Sequence, residues 1–419
     1  MMSTWQRLMI PMAVFAALLF DGVELGMMPI ASLSVSKSLL GDDYTKTLGG
    51  DWFARFTAAL MLGAAIGGIL LGHLGDRIGR SRAMGVCILF YSVFASLGAF
   101  VQSQEQMLLL RFMVGLGVGG LWPNGIALVA ECWPGTSRPI LSGLMMAGLN
   151  AGILMLSQIA RLHPISEQSW RWLFQFAGLP AILGVLVLIA LPESPRWQVT
   201  KSEDRRPNLP ILELFRPGLL RVTLVAMLLS SIPMIGAWSA SKWMIPWADQ
   251  VAENVTGYKA ETQGWWALGA TLGSFFGAVL AGCMGRRLSY FVISAATTVV
   301  TICMFQLTQP MAPSFHPIVF TQGLVATLFF GWLTMYLPEV FPVRVRASGA
   351  GLAFNVGRFA TAIGVLAAGV IFHRLGGDYP RVGTICACIY GLGALAILFV
   401  PKHEPKYLQD NPSPHSSDG

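Results

Sequence analysis

Long apolar runs separated by short polar breaks divide this chain into twelve segments, near 9–33, 54–73, 83–101, 107–130, 138–160, 172–191, 219–247, 263–284, 289–309, 315–337, 347–372 and 381–400. Each is roughly the 20 residues that a helix, rising about 1.5 Å per residue, needs to cross ~30 Å of hydrocarbon. Polar and apolar positions do not alternate with the period of two that a membrane barrel requires, so the segments predict helices. One longer polar stretch, 192–218, carries Pro192, Pro195, Pro207, Pro210 and Pro217 and splits the segments six and six. The expected organisation is a six-helix bundle over 1–191, a linker over 192–218, a second bundle over 219–401 and a polar tail over 402–419, with no further domain.

Composition changes the picture from helical to membrane-embedded. Apolar residues make up 54% of the chain and charged residues 12%, with mean hydropathy +0.61, whereas soluble domains carry about 25% charged residues. A pattern Glu-x-x-Pro-x-x-x-Arg then occurs twice, as Glu131/Pro134/Arg138 and Glu339/Pro342/Arg346, each between two apolar segments. The chain is therefore two related halves, and the expected fold is all-α, with twelve transmembrane helices in two pseudo-symmetric six-helix bundles. Internal repeats of this kind in a membrane protein point to transport.

The cations set an expected orientation. Most of the 28 lysines and arginines flank the loops on the side of both termini, including Arg77, Arg80 and Arg82, the linker cluster, Arg286 and Arg287. The positive-inside rule puts both termini in the cytoplasm. It also accounts for the net charge of +7 without a nucleic-acid partner. The first segment contains Asp21 and Glu24 and ends in no small-residue cleavage site, so no removable signal peptide is expected. The six cysteines, four of them inside apolar segments, are expected to be buried free thiols.

The cytoplasmic loops carry a specific resemblance. The run Gly72-His73-Leu74-Gly75-Asp76-Arg77-Ile78-Gly79-Arg80 resembles the loop between helices 2 and 3 of the major facilitator superfamily. Arg111 to Gly117 resembles its helix 4 motif, and Pro192-Glu193-Ser194-Pro195-Arg196-Trp197 the signature after helix 6 in sugar and organic-ion porters. With the two Glu-x-x-Pro-x-x-x-Arg copies, the resemblance spans nearly the whole chain. It implies rocking of two bundles, with a latch made by Gly72, Asp76, Arg77, Gly79, Arg80, Glu131, Arg138, Glu193, Arg196, Glu339 and Arg346. Physically, Asp76 can meet a helix dipole while Arg80, Arg138 and Arg346 pair with Glu131, Glu193 and Glu339, holding the halves closed on one side. In the second half the equivalent loop reads Ala281-Gly282-Cys283-Met284-Gly285-Arg286-Arg287, without the aspartate. Any latch through Asp76 is therefore expected to be asymmetric.

Charges inside the apolar segments are the candidate chemistry, because each costs several kcal/mol and usually marks a pathway or coupling site. Asp21 falls near the middle of the first segment and Glu24 three residues on, one helical turn away. Two carboxylates this close in low dielectric do not readily both ionise, which makes one a candidate proton carrier. Alternatively, one bonds a neighbouring helix or Glu24 reaches water. Asp21-Gly22-Val23-Glu24 also resembles the Asp-Gly-x-Asp signature of aromatic-acid and other metabolite:proton symporters, and Gly357-Arg358-Phe359-Ala360 a Gly-Arg-x-Gly stretch of the same group. Arg358 needs an anionic partner, either a substrate carboxylate or Asp21 or Glu24. The repeat maps Arg358 onto Asn150. Arg111 and Lys242 lie near the outer ends of their segments and can snorkel to the interface, although the helix 4 motif makes Arg111 a coupling candidate. Trp238, Gln158 and Gln322 are further candidates for the cavity.

Antiporters of the superfamily usually carry a Gly-Pro motif in helix 5, absent here, so efflux is disfavoured. The expectation is proton-coupled import of a small organic anion across a bacterial inner membrane by a monomer. Asp21, Glu24 and Arg111 would couple protons, and Arg358, Asn150, Trp238, Gln158 and Gln322 would bind substrate. A sugar or polyol symporter, a uniporter or exporter, and a non-transporting solute sensor stand as alternatives. No nucleotide loop, metal cluster or Ser/His/Asp set supports an enzyme, a metal or a cofactor.

Overall fold

The structure, a computed structural model, describes residues 4–133, 138–194, 197, 212–253, 255–342 and 345–400. Pro134, Arg196, much of the predicted linker and the tail over 402–419 lie outside the described residues, as does the side chain of Arg138. Among the described residues, fourteen α-helices form the twelve spans. They are α1 (Thr4–Leu40), α2 (Lys46–Ile78), α3 (Arg80–Leu97), α4 (Gln104–Cys132), α5 (Arg138–Leu162), α6 (Arg171–Phe176) and α7 (Pro180–Ala190) in the first half. The second half has α8 (Pro217–Ser239), α9 (Met244–Val251), α10 (Tyr258–Met284), α11 (Arg286–Gln306), α12 (Phe315–Val340), α13 (Arg346–Arg374) and α14 (Tyr379–Ala396).

Most spans run beyond their apolar windows, because helix ends continue into polar surroundings and are closed there by capping side chains. Thr45 accepts the Leu48 N–H at 3.1 Å to start α2, Ser103 accepts the Gln106 N–H at 3.3 Å to start α4, and Asp378 accepts the Arg381 N–H at 3.0 Å to start α14. Two spans are broken. The sixth is divided between α6 and α7 ahead of Pro180, and the seventh between α8 and α9, where Ser241–Trp243 forms a 3-10 turn.

The repeat is visible in packing. Within the halves α1 packs on α5 as α8 packs on α13, and α2 on α4 as α10 on α12. Between the halves α13 lies on α2 as α5 lies on α10. Glycines set the closest approaches: a Cβ on Gly67 would stand 2.0 Å from the Leu116 carbonyl oxygen, and one on Gly273 would stand 2.1 Å from that of Leu324. Gly79 (φ 108°) and Gly285 (φ 79°) turn the chain at corresponding points between α2 and α3 and between α10 and α11.

With an even number of spans, both described chain ends lie at one face, termed here the near face; the opposite one is the far face. All six cysteines are free, but only Cys87 and Cys132 are buried. This corrects the expectation of six buried thiols, since helix surfaces turned to lipid leave apolar residues exposed.

Candidate functional site

A cavity of about 120 Å³ lies between the halves. It is lined from the first half by Asp21, Ala64, Trp122 and Asn150 among others, and from the second by Trp238, Lys242, Trp266, Thr327, Phe354 and Arg358. Its walls are mostly apolar and aromatic, with one carboxylate and two cations, a composition suited to a small charged ligand.

Local packing places the carboxylates. A Cβ on Gly22 would fall 1.8 Å from the Leu149 carbonyl oxygen, and one on Gly152 1.8 Å from that of Leu19, so α1 and α5 touch backbone to backbone. That contact fixes the rotation of α1. Asp21 then faces the cavity, where its Oδ1 is buried without a hydrogen-bond partner among the described residues. Glu24, 1% exposed, instead forms a buried ion pair with Arg111 of α4, itself 1% exposed. The two acids do not share a site: Glu24 neither lines the cavity nor reaches water, and Arg111 does not snorkel. A carboxylate and a guanidinium buried together satisfy each other's charge, which neither could do alone in hydrocarbon.

Arg358 of α13 reaches across to the first half. Its Nη1 donates to the Ala64 carbonyl at 3.2 Å, the Gly119 carbonyl at 3.3 Å and Asn355 Oδ1 at 3.3 Å, and its guanidinium lies 5.3 Å from the Phe354 ring centre. All three bonds use Nη1. Nε and Nη2, the fork that takes a carboxylate in two parallel bonds, have no partner among the described residues. Asn150 lines the same cavity but donates across the halves to Ser274 Oγ at 3.0 Å.

Two predicted ligand residues lie elsewhere. Gln158 is exposed near the far end of α5, accepting from Arg161 at 3.3 Å. Gln322 is fully buried behind the cavity, where it accepts the Trp266 indole N–H at 2.8 Å and donates to Ser241 Oγ and to Thr301 Oγ1. Ser241 also meets the Tyr390 hydroxyl at 2.9 Å. Gln322 thus supports the wall, tying Trp266 to the break in the seventh span. That break carries Lys242, whose position in the sequence also allows snorkelling to the interface. Lys242 is 2% exposed and its Nζ lies 3.3 Å from the Trp266 ring centre. The available signal was a lysine flanked by Ser241 and Trp243 with Pro233 upstream, a composition that weakens a helix.

Contacts that bridge the halves gather above the cavity, toward the far face. Asp51 of α2 pairs with His373 of α13 at 2.9 Å, Lys259 donates to Ser34 at 2.9 Å, and Lys37 lies 3.8 Å from Glu253. Phe53 meets Trp243 edge-on at 5.4 Å, and Phe372 presses on Gly50. Toward the near face the cavity is bounded by Trp122 stacked on Phe354, with ring centres 6.2 Å apart. Tyr44, beside the far-face cluster, has its phenol pushed up to about 12 by burial and by the carboxylates Asp249 and Glu253.

The motif charges at the near face form a cluster inside each half. Arg80 bonds Asp76 and lies 4.0 Å from Glu131, which accepts from Ser194 Oγ. Glu193 accepts the Ser81 N–H at 3.1 Å and so caps α3, packed against Gly79. The Trp197 indole donates to the Asp76 carbonyl at 2.9 Å, Gly72 packs beside Pro123, and Arg77 is exposed. In the second half Arg286 grips Glu339 in two bonds of 2.9 and 2.8 Å, and Arg346 lies 3.5 Å from the Phe341 carbonyl. Among the described residues these contacts join helices of one half, while Arg196 and the side chain of Arg138, which complete the expected latch, lie outside them. Arg286 stands where Arg80 stands in the first half and, with no aspartate beside it, gives both bonds to Glu339, so the second cluster forms without the aspartate.

Comparison with known proteins follows the same outline. The family model of the Major Facilitator Superfamily matches residues 12–262 and 244–417. The chain is 27% identical over 414 residues to a cis,cis-muconate transport protein of Acinetobacter baylyi, covering 93% of each. It is 28% identical over 353 residues to a probable 4-methylmuconolactone transporter of Cupriavidus pinatubonensis, covering 83% of this chain and 80% of that one. The sialic acid transporter NanX of Escherichia coli is 26% identical over 421 residues, covering 96% of each. A crystal structure of a point mutant of the nucleoside transporter NupG superposes with a TM-score of 0.72 at 15% identity, covering 94% of this chain and all of that one, which is a likeness of fold.

Proposed function

This chain belongs to the Major Facilitator Superfamily, a family of transporters rather than enzymes, and on that premise we propose that it carries a small organic anion inward with protons across a bacterial inner membrane. Both termini would face the cytoplasm, and the protein would work as a monomer. The observation that carries the reading is the free guanidinium fork of Arg358 in a cavity between the halves, facing the same space as the unbonded Asp21 carboxyl. A substrate carboxylate and an ionised Asp21 compete for one cation. Protonation of Asp21 releases Arg358 to the substrate, and substrate departure returns Arg358 to Asp21 and favours loss of the proton. The names of the muconate relatives agree with an acid as cargo.

In this reading the structure is the form closed at the far face, its clasps being Asp51–His373, Lys259–Ser34 and Phe53–Trp243. Rocking would open them while the near-face side, where Trp122 already stacks on Phe354, closes further. The near-face clusters then keep each bundle rigid as it turns. A sugar or polyol symporter is the second reading, favoured only by the signature at Pro192 to Trp197.

The test is uptake of labelled carboxylates and sugars into proteoliposomes, with and without an inward proton gradient, for the native chain and Asp21→Asn. Gradient-driven uptake of an acid should disappear in the variant while counterflow, which needs no net proton movement, survives. Sugar uptake independent of the gradient and equal in both proteins would sink the mechanism.

A further inference from the structure

The cation that the mechanism does not use is Lys242. It sits in the 3-10 turn that interrupts the seventh span, and its Nζ is buried with no hydrogen-bond partner among the described residues. The Trp266 ring beneath it, 3.3 Å from Nζ to ring centre, offsets part of the lost hydration. A ring face is nevertheless a weak substitute for an anion at a site so removed from water. Glu24 is committed to Arg111 and Asp249 to Lys259 at 3.0 Å, and Asp21, which lines the same cavity, makes no ion pair with Lys242 among the described residues. The turn itself is held by Ser241 to Tyr390 and Gln322, and Gln322 also fixes Trp266. This network therefore holds a lysine amine with no anionic partner at the cavity wall, where it lines the same space as Arg358.

The depth of the two cations differs. Gly364 of α13 lies opposite Ser239 of α8, since a Cβ there would stand 3.2 Å from the serine hydroxyl. Lys242 is three residues beyond Ser239 toward the far face, and Arg358 six residues from Gly364 toward the near face. Because Gly364 also faces Ile235, one turn nearer the near face, the backbones of Lys242 and Arg358 are separated by roughly 16 Å along the bundle at about 1.5 Å per residue, a gap that two long side chains shorten. An anion bound only at the Arg358 fork leaves Lys242 unsatisfied. A ligand carrying a second anionic group at its far end satisfies both.

Building on the organic-anion reading above, we propose that Lys242 is a second substrate anchor and that the preferred cargo is an elongated dicarboxylate, one end on Arg358 and the other on Lys242 over Trp266. Both anchors belong to the second half, so the ligand is held by one bundle while Asp21 of the other reports protonation. With Asp21 protonated, the two cations match the two carboxylates in charge.

The experiment measures KM for hexanoate and for adipate, the straight-chain mono- and dicarboxylates of equal length, in proteoliposomes containing native protein, Lys242→Met and Lys242→Arg. Native protein should prefer adipate, Lys242→Met should lose that preference by about tenfold or more, and Lys242→Arg, which keeps the charge, should retain most of it. The hexanoate KM serves as the internal reference for folding. If Lys242→Met proves unstable, a native chain that takes both acids with equal KM overturns the proposal on its own. An unchanged ratio in Lys242→Met also overturns it while leaving organic-anion transport intact. Failure of the native chain to move either acid, with a sugar moved instead, would remove the underlying reading as well.

Discussion

Asp21 and Glu24 sit one turn apart on the same helix, yet the structure treats them differently. Glu24 is closed in an ion pair with Arg111, whereas Asp21 faces a cavity with a carboxylate oxygen that bonds nothing among the described residues. The difference comes from where each side chain lands once Gly22 has been pressed against α5. A charge with a permanent partner holds structure, and a charge whose partner can change is free to take part in a cycle. The same contrast separates Arg111 from Arg358, whose fork has no protein partner among the described residues.

The contrast breaks most sharply at the paired site. Glu24→Ala should cost about 3–5 kcal/mol, because it strands the Arg111 guanidinium in hydrocarbon. Replacing both, as Glu24→Leu with Arg111→Leu, should recover most of that loss. Thermal melting in detergent is the measurement. Asp21→Asn in the same assay should leave the melting temperature unchanged or raise it, since no bond of Oδ1 is lost. Equal loss at both positions would mean that Asp21 has a structural partner after all.

A smaller effect tests how the two acids are kept apart. Gly22→Val adds atoms where even a Cβ would stand 1.8 Å from the Leu149 carbonyl oxygen, so α1 must separate from α5. Overpacking of this kind costs about 1–3 kcal/mol. Because the shift turns Asp21 and Glu24 together, substrate uptake should fall further than stability alone explains. If the variant melts like the native chain, the close contact of α1 with α5 does not set the position of the acids.

How far these distinctions were legible in the sequence depends on the distance to the deciding partner. The spans could be read because hydropathy is local, and their ends were missed where Thr45 and Asp378 carry helices into polar surroundings. Arg358, Asn150, Trp238 and Asp21 could be proposed for a central cavity because the 208-residue repeat and mid-span depth both point there. The pairing of Glu24 with Arg111 joins residues 87 positions apart, and no local pattern contains it. Gln322 was misread for the same reason: a polar residue in mid-span looks alike whether it faces a ligand or the back of a tryptophan. Lys242 was read as able to snorkel because an unbroken seventh helix would bring it close to the surface, whereas the turn at Ser241–Trp243 turns it inward.

The smallest effect lies at the far face, where Asp51 and His373 make a hydrogen bond across the halves in a more exposed setting. The His373 side chain is 64% exposed, so water already solvates much of what the bond supplies, and such pairs contribute less than about 1 kcal/mol. Asp51→Asn should therefore leave melting almost unchanged and act on the balance between far-closed and far-open forms. A cysteine placed at Ala54, one helical turn behind this pair and facing Gly369 of α13, gives the measurement in a background lacking the six native cysteines. Its labelling by a thiol reagent that does not cross the membrane should accelerate in the Asp51→Asn background by at most about fivefold, the population change that ~1 kcal/mol allows. A much larger increase would make the pair the principal clasp rather than one of several. No increase would assign closure to the aromatic contacts Phe53–Trp243 and Phe372–Gly50, and the far face would then be held by packing, as the paired interior is held by charge.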